Sequence, residues 1–145
     1  MPPNKADRGF TLLEMIVVLA ILGLVAGLVL ARGPGHSAAL DMRLASSAVA
    51  TALRGARTQA IAANTPVGVG FDTADARFRV AGQAWRSLPR GIALAVTVAA
   101  GQGLTITFLP DGSSSGGRVE LAGEGRTAQV GVDWLTGRVS VANGG

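Results

Sequence analysis

The segment that decides the fold is Gly9–Ala31, with the sequence GFTLLEMIVVLAILGLVAGLVLA. Between Phe10 and Ala31 its one ionisable side chain is Glu14. A helix rises about 1.5 Å per residue, so an apolar run of roughly twenty residues is long enough to cross the hydrocarbon core of a bilayer. A carboxylate in such a segment costs about 2.5–3.5 kcal/mol on insertion scales. We therefore expect a membrane-spanning helix in which Glu14 has a function and a partner.

The hexapeptide Gly9–Glu14 resembles the processing signature of type IV pilins and pseudopilins. The resemblance implies that a prepilin peptidase cuts between Gly9 and Phe10, and that the new N-terminal residue, Phe10, is methylated. It also implies that Glu14 pairs with the terminal amine of a neighbouring subunit during filament assembly. The chemistry agrees, because an amine and a carboxylate in an apolar layer supply each other's counter-ion.

Two other interpretations of the segment remain open. It could be a secretory signal peptide cut after Ala31, but the apolar stretch exceeds the usual 7–15 residues and contains an acid. It could also be a plain single-span anchor, which leaves Glu14 unexplained.

Small residues recur every four positions in the second half of the segment, at Gly23, Gly27 and Ala31. They form a stripe on one helix face, where a partner helix could approach closely. The alternative is that glycine is simply common in membrane helices. Lys5 and Arg8 precede the segment and favour a cytoplasmic N-terminus.

The chain divides into four predicted segments. Residues 1–9 are a cleaved leader, and residues 10–31 form a transmembrane helix that becomes the filament core. Residues 32–63 continue the helix after a kink at Gly33-Pro34-Gly35, where proline removes a backbone donor. Residues 64–145 form a periplasmic β-rich head. The chain has no cysteine, so this exported head must be stable without disulfides.

A second helix is predicted from Ser37 to about Ala63. Its apolar residues follow helical spacing in one stripe, which consists of Leu40, Leu44, Val49, Leu53, Ala56 and Ala60. Arg43, Arg54 and Arg57 lie mostly off this stripe. We interpret them as a solvated face or, alternatively, as contacts to a neighbouring subunit.

After Asn64-Thr65-Pro66 the apolar period changes to two, which is typical of strands. Trp85 and Leu88 are expected to fold back onto the core, and Ser113–Gly117 is expected to be a flexible loop. The predicted class is α+β, with a long N-terminal helix packed on an antiparallel sheet or small β-sandwich, as in pilins. The predicted strands are Val67–Phe71, Arg77–Val80, Ile92–Val98, Leu104–Phe108, Arg118–Leu121, Ala128–Val132 and Arg138–Val141.

The C-terminal half is similar to the GspH-type minor pseudopilins of type II secretion. The motifs that carry this likeness are Leu53–Ala60, Pro66–Asp72, Trp85–Ile92, Phe108–Gly112 and Val132–Val139. Turns, glycines and tryptophans dominate these motifs, so we interpret them as fold determinants.

The resemblance implies a structural subunit of the periplasmic pseudopilus, at or near its tip, that supports protein export across the outer membrane. The implied partners are other minor and major pseudopilins, the prepilin peptidase and the inner-membrane assembly platform. The secreted substrate and the outer-membrane channel are further candidate partners.

The alternative is a FimT-like minor pilin that binds DNA during uptake through exposed arginines. The candidates are Arg77, Arg79, Arg86, Arg90, Arg126 and Arg138. The formal charge of +4 is mild, and the last seven residues are uncharged. Both observations argue against a nucleic-acid partner.

The sequence does not support catalysis or metal binding. Ser113, Ser114 and Ser115 have no histidine in a recognisable order to act as a base. Four acids in the second half of the chain are not spaced as in a calcium loop, namely Asp111, Glu120, Glu124 and Asp133. We therefore expect a structural protein with no catalytic residue, no metal and no cofactor.

Overall fold

In a computed structural model of the chain, residues 11–31, 37–98 and 103–144 are described. The chain divides into two compact units, of which the first contains helix α1 and the second contains helix α2 with the strands. The predicted leader, the predicted kink and His36 lie outside the described residues. The elements are α1 Leu12–Ala31, α2 Ala38–Ala63, β1 Val67–Asp72, β2 Arg77–Val80, β3 Arg86–Ser87, β4 Ala93–Thr97, β5 Thr105–Phe108, β6 Gly117–Gly123, β7 Arg126–Val132 and β8 Val139–Gly144.

Both ends of α2 carry capping residues, as predicted from their types. At the start, the hydroxyl of Ser37 accepts a hydrogen bond from the amide of Leu40 at 3.4 Å. At the end, Asn64 adopts the left-handed conformation with φ 51°, and its amide bonds to carbonyls of the last turn. These contacts satisfy backbone groups that a helix end leaves free. The helix therefore begins and ends where the sequence predicts.

The buried face of α2 differs from the predicted stripe at its first turns. Val49, Leu53 and the alanines of the stripe are buried, but Leu40 and Leu44 are 55% and 54% exposed. Met42 and Ala45 are buried in their place. Small residues on this face bring the helix close to the sheets, so the larger leucines lie outside. Including these two leucines in the core stripe was therefore wrong.

The strands form two antiparallel sheets of four strands each, with the orders β3-β2-β1-β5 and β4-β6-β7-β8. In the first sheet, Val69 of β1 lies between Val80 of β2 and Ile106 of β5. In the second, Val130 of β7 pairs with Val119 of β6 and Val141 of β8. Alternate side chains of β1 and β7 are buried, which is the period of two seen in the sequence.

Helix α2 packs on both sheets, and their buried side chains form one hydrophobic core. Its largest fully buried members are Phe78, Phe108 and Leu53. Burial of one such side chain stabilises the fold by about 1.5–3 kcal/mol. Every buried hydrophobic side chain of the described residues belongs to the second unit, so this unit, called the head below, has a core of its own. The predicted α+β class is confirmed.

Trp85 was predicted to fold back onto the core together with Leu88, and only Leu88 does so. Leu88 is buried, whereas Trp85 is 37% exposed. The indole of Trp85 instead contacts two guanidinium groups, with Arg79 at 4.5 Å and Arg77 at 5.0 Å from the ring centroid. Cations over the face of an indole are attracted by its quadrupole. The prediction for Trp85 was therefore wrong.

Candidate assembly site

The first turn of α1 is built around Thr11 and Glu14. The Thr11 hydroxyl accepts a hydrogen bond from the Glu14 amide at 3.2 Å, and the Thr11 carbonyl accepts one from the Met15 amide. Thr11 is thus the N-cap, and Glu14 is the third helical residue, in the spacing of a capping box. This pattern was present in the sequence but was missed there. It places a carboxylate where the helix dipole favours negative charge.

The Glu14 side chain is exposed, and so are the other side chains from Thr11 to Leu28. A continuous apolar surface of this kind marks an interaction site for protein or lipid. Among the described residues, no helix is both long and apolar enough to cross a membrane. The span predicted over residues 10–31 therefore stays a prediction. The large apolar side chains exposed on α1 are Leu12, Leu13, Met15, Ile16, Val17, Val18, Leu19, Ile21, Leu22, Leu24, Val25 and Leu28.

The predicted packing stripe lies on this surface. A Cβ added at Gly23 or at Gly27 would meet no atom within 4 Å. Contacts within the described chain therefore do not require glycine at either position, and only a partner could. Ala31 is the last residue of α1, but its side chain is not described. Gly9 and Phe10 lie outside the described residues.

In the head, two turns meet on α2 at Arg57. The Nε of Arg57 donates a hydrogen bond to the carbonyl of Gly112 at 3.0 Å. Gly137 lies against the same group, since a Cβ added there would be 2.9 Å from Nε and would overlap the Gly112 carbonyl oxygen. Gly112 and Gly137 both have positive φ, at 85° and 60°. Arg57 is thus neither a purely solvated side chain nor free for a neighbour, contrary to both interpretations of the sequence.

Aspartates order the two turns that meet Arg57. Asp111 accepts hydrogen bonds from the hydroxyl and amide of Ser113, and these hold the pKa of Asp111 below its ordinary value. Asp133 accepts from the amide and hydroxyl of Thr136 and from the amide of Leu135, which lowers the pKa of Asp133. Both are therefore turn aspartates, as their sequence context predicted.

The Ser113–Gly117 segment is not the flexible loop that was predicted. Ser114 is buried, and its hydroxyl donates to the Asp133 carbonyl at 3.0 Å. The amide of Ser115 donates to the Thr107 carbonyl, and the Ser115 hydroxyl accepts from the Thr107 amide. The serines therefore connect β5 to the turn before β8, and a glycine- and serine-rich composition alone was misleading.

The four acids considered for a metal do not form a site. Asp111 and Asp133 are committed to their turns, and Glu120 accepts a hydrogen bond from the side chain of Gln129 across the sheet. Glu124 sits at φ 47° in the tight turn between β6 and β7. Within the described ranges, no three His, Cys, Asp or Glu residues are grouped in a way that could hold a metal ion.

The six arginines proposed for DNA contact lie in separate places. Arg77, Arg79 and Arg86 surround the β2–β3 edge, where Arg77 pairs with Asp72 at 2.8 Å and with Asp75 at 2.9 Å. The hydrogen bond from the Arg77 guanidinium also lowers the pKa of Asp72. The remaining three line different cavities, which belong to Arg90, Arg126 and Arg138.

Two family models match the chain. The prokaryotic N-terminal methylation motif matches residues 4–30, and the family described as type II transport protein GspH matches residues 45–137. The chain is also 36% identical over 138 residues to the type II secretion system protein H of Xanthomonas campestris pv. campestris. That alignment covers 91% of this chain and 81% of the relative.

Solved structures show the same fold at low identity. The minor pseudopilin EpsH from the type II secretion system of Vibrio cholerae matches with a TM-score of 0.62 at 12% identity, covering 75% of this chain and all of EpsH. The type IV minor pilin FimU of Pseudomonas aeruginosa matches with a TM-score of 0.55 at 11% identity, covering 70% of this chain and 87% of FimU. With the family models and the full-length relative in agreement, the chain belongs to the GspH family of type II transport proteins and is a minor pseudopilin.

Proposed function

We propose that this minor pseudopilin is incorporated into the pseudopilus through α1, at or near the tip, and that Glu14 sets its register there. One observation carries the proposal: α1 exposes an apolar surface along its described length and carries an exposed carboxylate in its first turn. Such a surface is stable in water only when another apolar surface covers it. In a filament, the helices of neighbouring subunits provide that cover.

Processing creates the partner of Glu14. The match to the N-terminal methylation motif over residues 4–30 supports cleavage between Gly9 and Phe10 and methylation of Phe10. Cleavage frees an amine next to the first turn of the helix. In the apolar layer between subunits an unpaired carboxylate is strongly disfavoured, and a neighbour's amine removes that cost. Glu14 therefore selects the one axial position at which both charges are paired.

Before assembly, α1 resides in the inner membrane, with the N-terminus in the cytoplasm and the head in the periplasm. The apolar run over residues 10–31 supports this location, and Lys5 and Arg8 support the orientation. Gly23, Gly27 and Ala31 then form the face on which a neighbouring helix packs closely. The role is structural rather than enzymatic.

The partners follow from this assembly route. The prepilin peptidase processes the N-terminus, and the inner-membrane platform receives the processed subunit. Major and minor pseudopilins then contact α1, while the head faces the periplasm. At the tip, the head is positioned to meet the secreted substrate or the outer-membrane channel.

The test replaces Glu14 in the host that lacks the native chain. Glu14→Leu removes the charge, whereas Glu14→Asp keeps it on a side chain shorter by one methylene. We expect Glu14→Leu to abolish incorporation and secretion, and Glu14→Asp to restore both in part. The mass of the N-terminal peptide must show cleavage and methylation in all variants, so that an assembly defect is separated from a processing defect. Normal secretion and incorporation of the Leu variant would overturn the proposal.

A further inference from the structure

We propose that a basic cavity on the head, called the arginine cavity here, binds a carboxylate-bearing segment of a neighbouring protein subunit. The inference rests on the proposed assembly function, which brings such subunits to the head. The cavity has a volume of about 470 Å³ and lies between α2 and the start of β8. Its lining residues are Arg54, Arg57, Thr58, Thr136, Gly137, Arg138 and Val139.

The lining contains three arginines and no acid. In the described part of the chain, ion pairs are formed by Arg77 alone, so none of the three lining guanidinium groups has a carboxylate within 4.0 Å. The nearest acid in sequence, Asp133, has its carboxylate occupied by the amides and hydroxyl of its own turn. The cavity therefore concentrates positive charge in a head whose other carboxylates are directed elsewhere.

The three arginines are held to different degrees. Arg57 uses Nε on the Gly112 carbonyl at 3.0 Å, so its position is fixed by the fold while its terminal nitrogens remain available. Arg54 makes one long contact, from Nη2 to the Val139 carbonyl at 3.5 Å, and is exposed. Arg138 is exposed as well. A guanidinium binds a carboxylate through two parallel N–H groups, which suits a fixed arginine flanked by two adjustable ones.

The turn beside the cavity favours a protein ligand. Trp134 and Leu135 are 66% and 63% exposed although the Asp133 side chain orders their turn. An exposed tryptophan next to arginines is the composition of a protein-binding hot spot. Nucleic acid requires a track of cations along successive phosphates, and this head instead groups its free arginines in one cavity. The ligand class is therefore an acidic segment, or a terminal carboxylate, next to an apolar residue.

The experiment uses the full-length protein in a non-ionic detergent, with a fluorescently labelled decaglutamate peptide as the probe. The test variant Arg54→Gln/Arg138→Gln removes two charges from the cavity and leaves Arg57 in place. The control variant Arg79→Gln/Arg118→Gln removes two exposed charges that do not line it. We expect the dissociation constant to rise at least tenfold in the test variant and less than twofold in the control.

Three results would overturn the proposal. They are equal weakening in both variants, no binding of decaglutamate by the unmodified protein, and tighter binding of a ten-residue oligothymidylate than of decaglutamate. Citrate competing at a concentration equal to that of the peptide's carboxylates would show that the cavity takes small anions rather than a protein segment, and would also overturn it. In cells, the test variant is expected to be processed normally but to secrete less. Normal secretion by Glu14→Leu, with decaglutamate binding intact, would count against the assembly function and not against the cavity.

Discussion

The contact between Gly137 and the Arg57–Gly112 junction gives the sharpest stability prediction. Gly137→Ala places a methyl group at φ 60°, where it overlaps the Gly112 carbonyl oxygen and lies 2.9 Å from Nε of Arg57. The left-handed backbone costs an alanine about 1–2 kcal/mol. Separating the two turns also removes the Arg57–Gly112 hydrogen bond, which contributes about 1 kcal/mol at a half-exposed site. We expect the free energy of unfolding of the head to fall by about 3 kcal/mol.

Gly125→Ala is the matched control, because Gly125 has φ 73° and open space around the added Cβ. It should cost only the backbone term, about 1–2 kcal/mol. Urea denaturation of the purified head, residues 36–145, followed by tryptophan fluorescence and circular dichroism, measures both variants. If Gly137→Ala is no less stable than Gly125→Ala, the two turns do not meet on Arg57 and the reasoning fails.

Three further predictions concern the head. Leu53→Ala should lower the free energy of unfolding by about 2–5 kcal/mol because Leu53 is fully buried, whereas Leu44→Ala should change it by less than about 0.5 kcal/mol; equal urea midpoints for the two variants would contradict the assignment of the buried face. Because the folded pKa values of Asp111 and Asp133 lie below the ordinary value of 3.8, the stabilisation is present above that pH and is lost as the pH falls through the folded values; urea midpoints measured from pH 7 down to pH 2.5 should fall less steeply in an Asp111→Asn/Asp133→Asn variant, and parallel curves would refute it. Asn64→Ala should destabilise the head by about 1 kcal/mol because alanine disfavours φ 51°, while Asn64→Gly should not, as thermal denaturation would show.

Local patterns predicted most of the fold. The period of two located the strands, and Asn64-Thr65-Pro66 located the end of α2. The buried face of α2 was harder to predict, since an alanine-rich helix offers two stripes with helical spacing. The sequence favoured Leu40 and Leu44, but close packing on the sheets selects the face with smaller residues.

Contacts between distant residues could not be predicted in this way. Arg57 and Gly112 are 55 positions apart, so no local pattern reports their hydrogen bond. The same holds for the buried Ser114, whose partner is the carbonyl of Asp133. The motifs Pro110-Asp111-Gly112 and Asp133–Arg138 were interpreted correctly as fold determinants. What they determine, the meeting of two turns on one helix residue, required the structure.

In the candidate site, the sequence predicted Glu14 as the functional residue through a family resemblance. The spacing of Thr11 and Glu14 also contained a capping signal that can be interpreted without any relative. The arginine cavity had no local signal, because its members come from α2, the β7–β8 turn and the start of β8.

The central claim is that the protein becomes part of the pseudopilus through α1. The most direct measurement is mass spectrometry of pseudopili sheared from cells that overproduce the major pseudopilin. The account predicts that this protein is present in the sheared fibres, with an N-methylated Phe10 as its first residue, and that the Glu14→Leu variant remains in the membrane fraction. Absence of the unmodified protein from the fibres, or equal amounts of the two forms in them, would contradict the account.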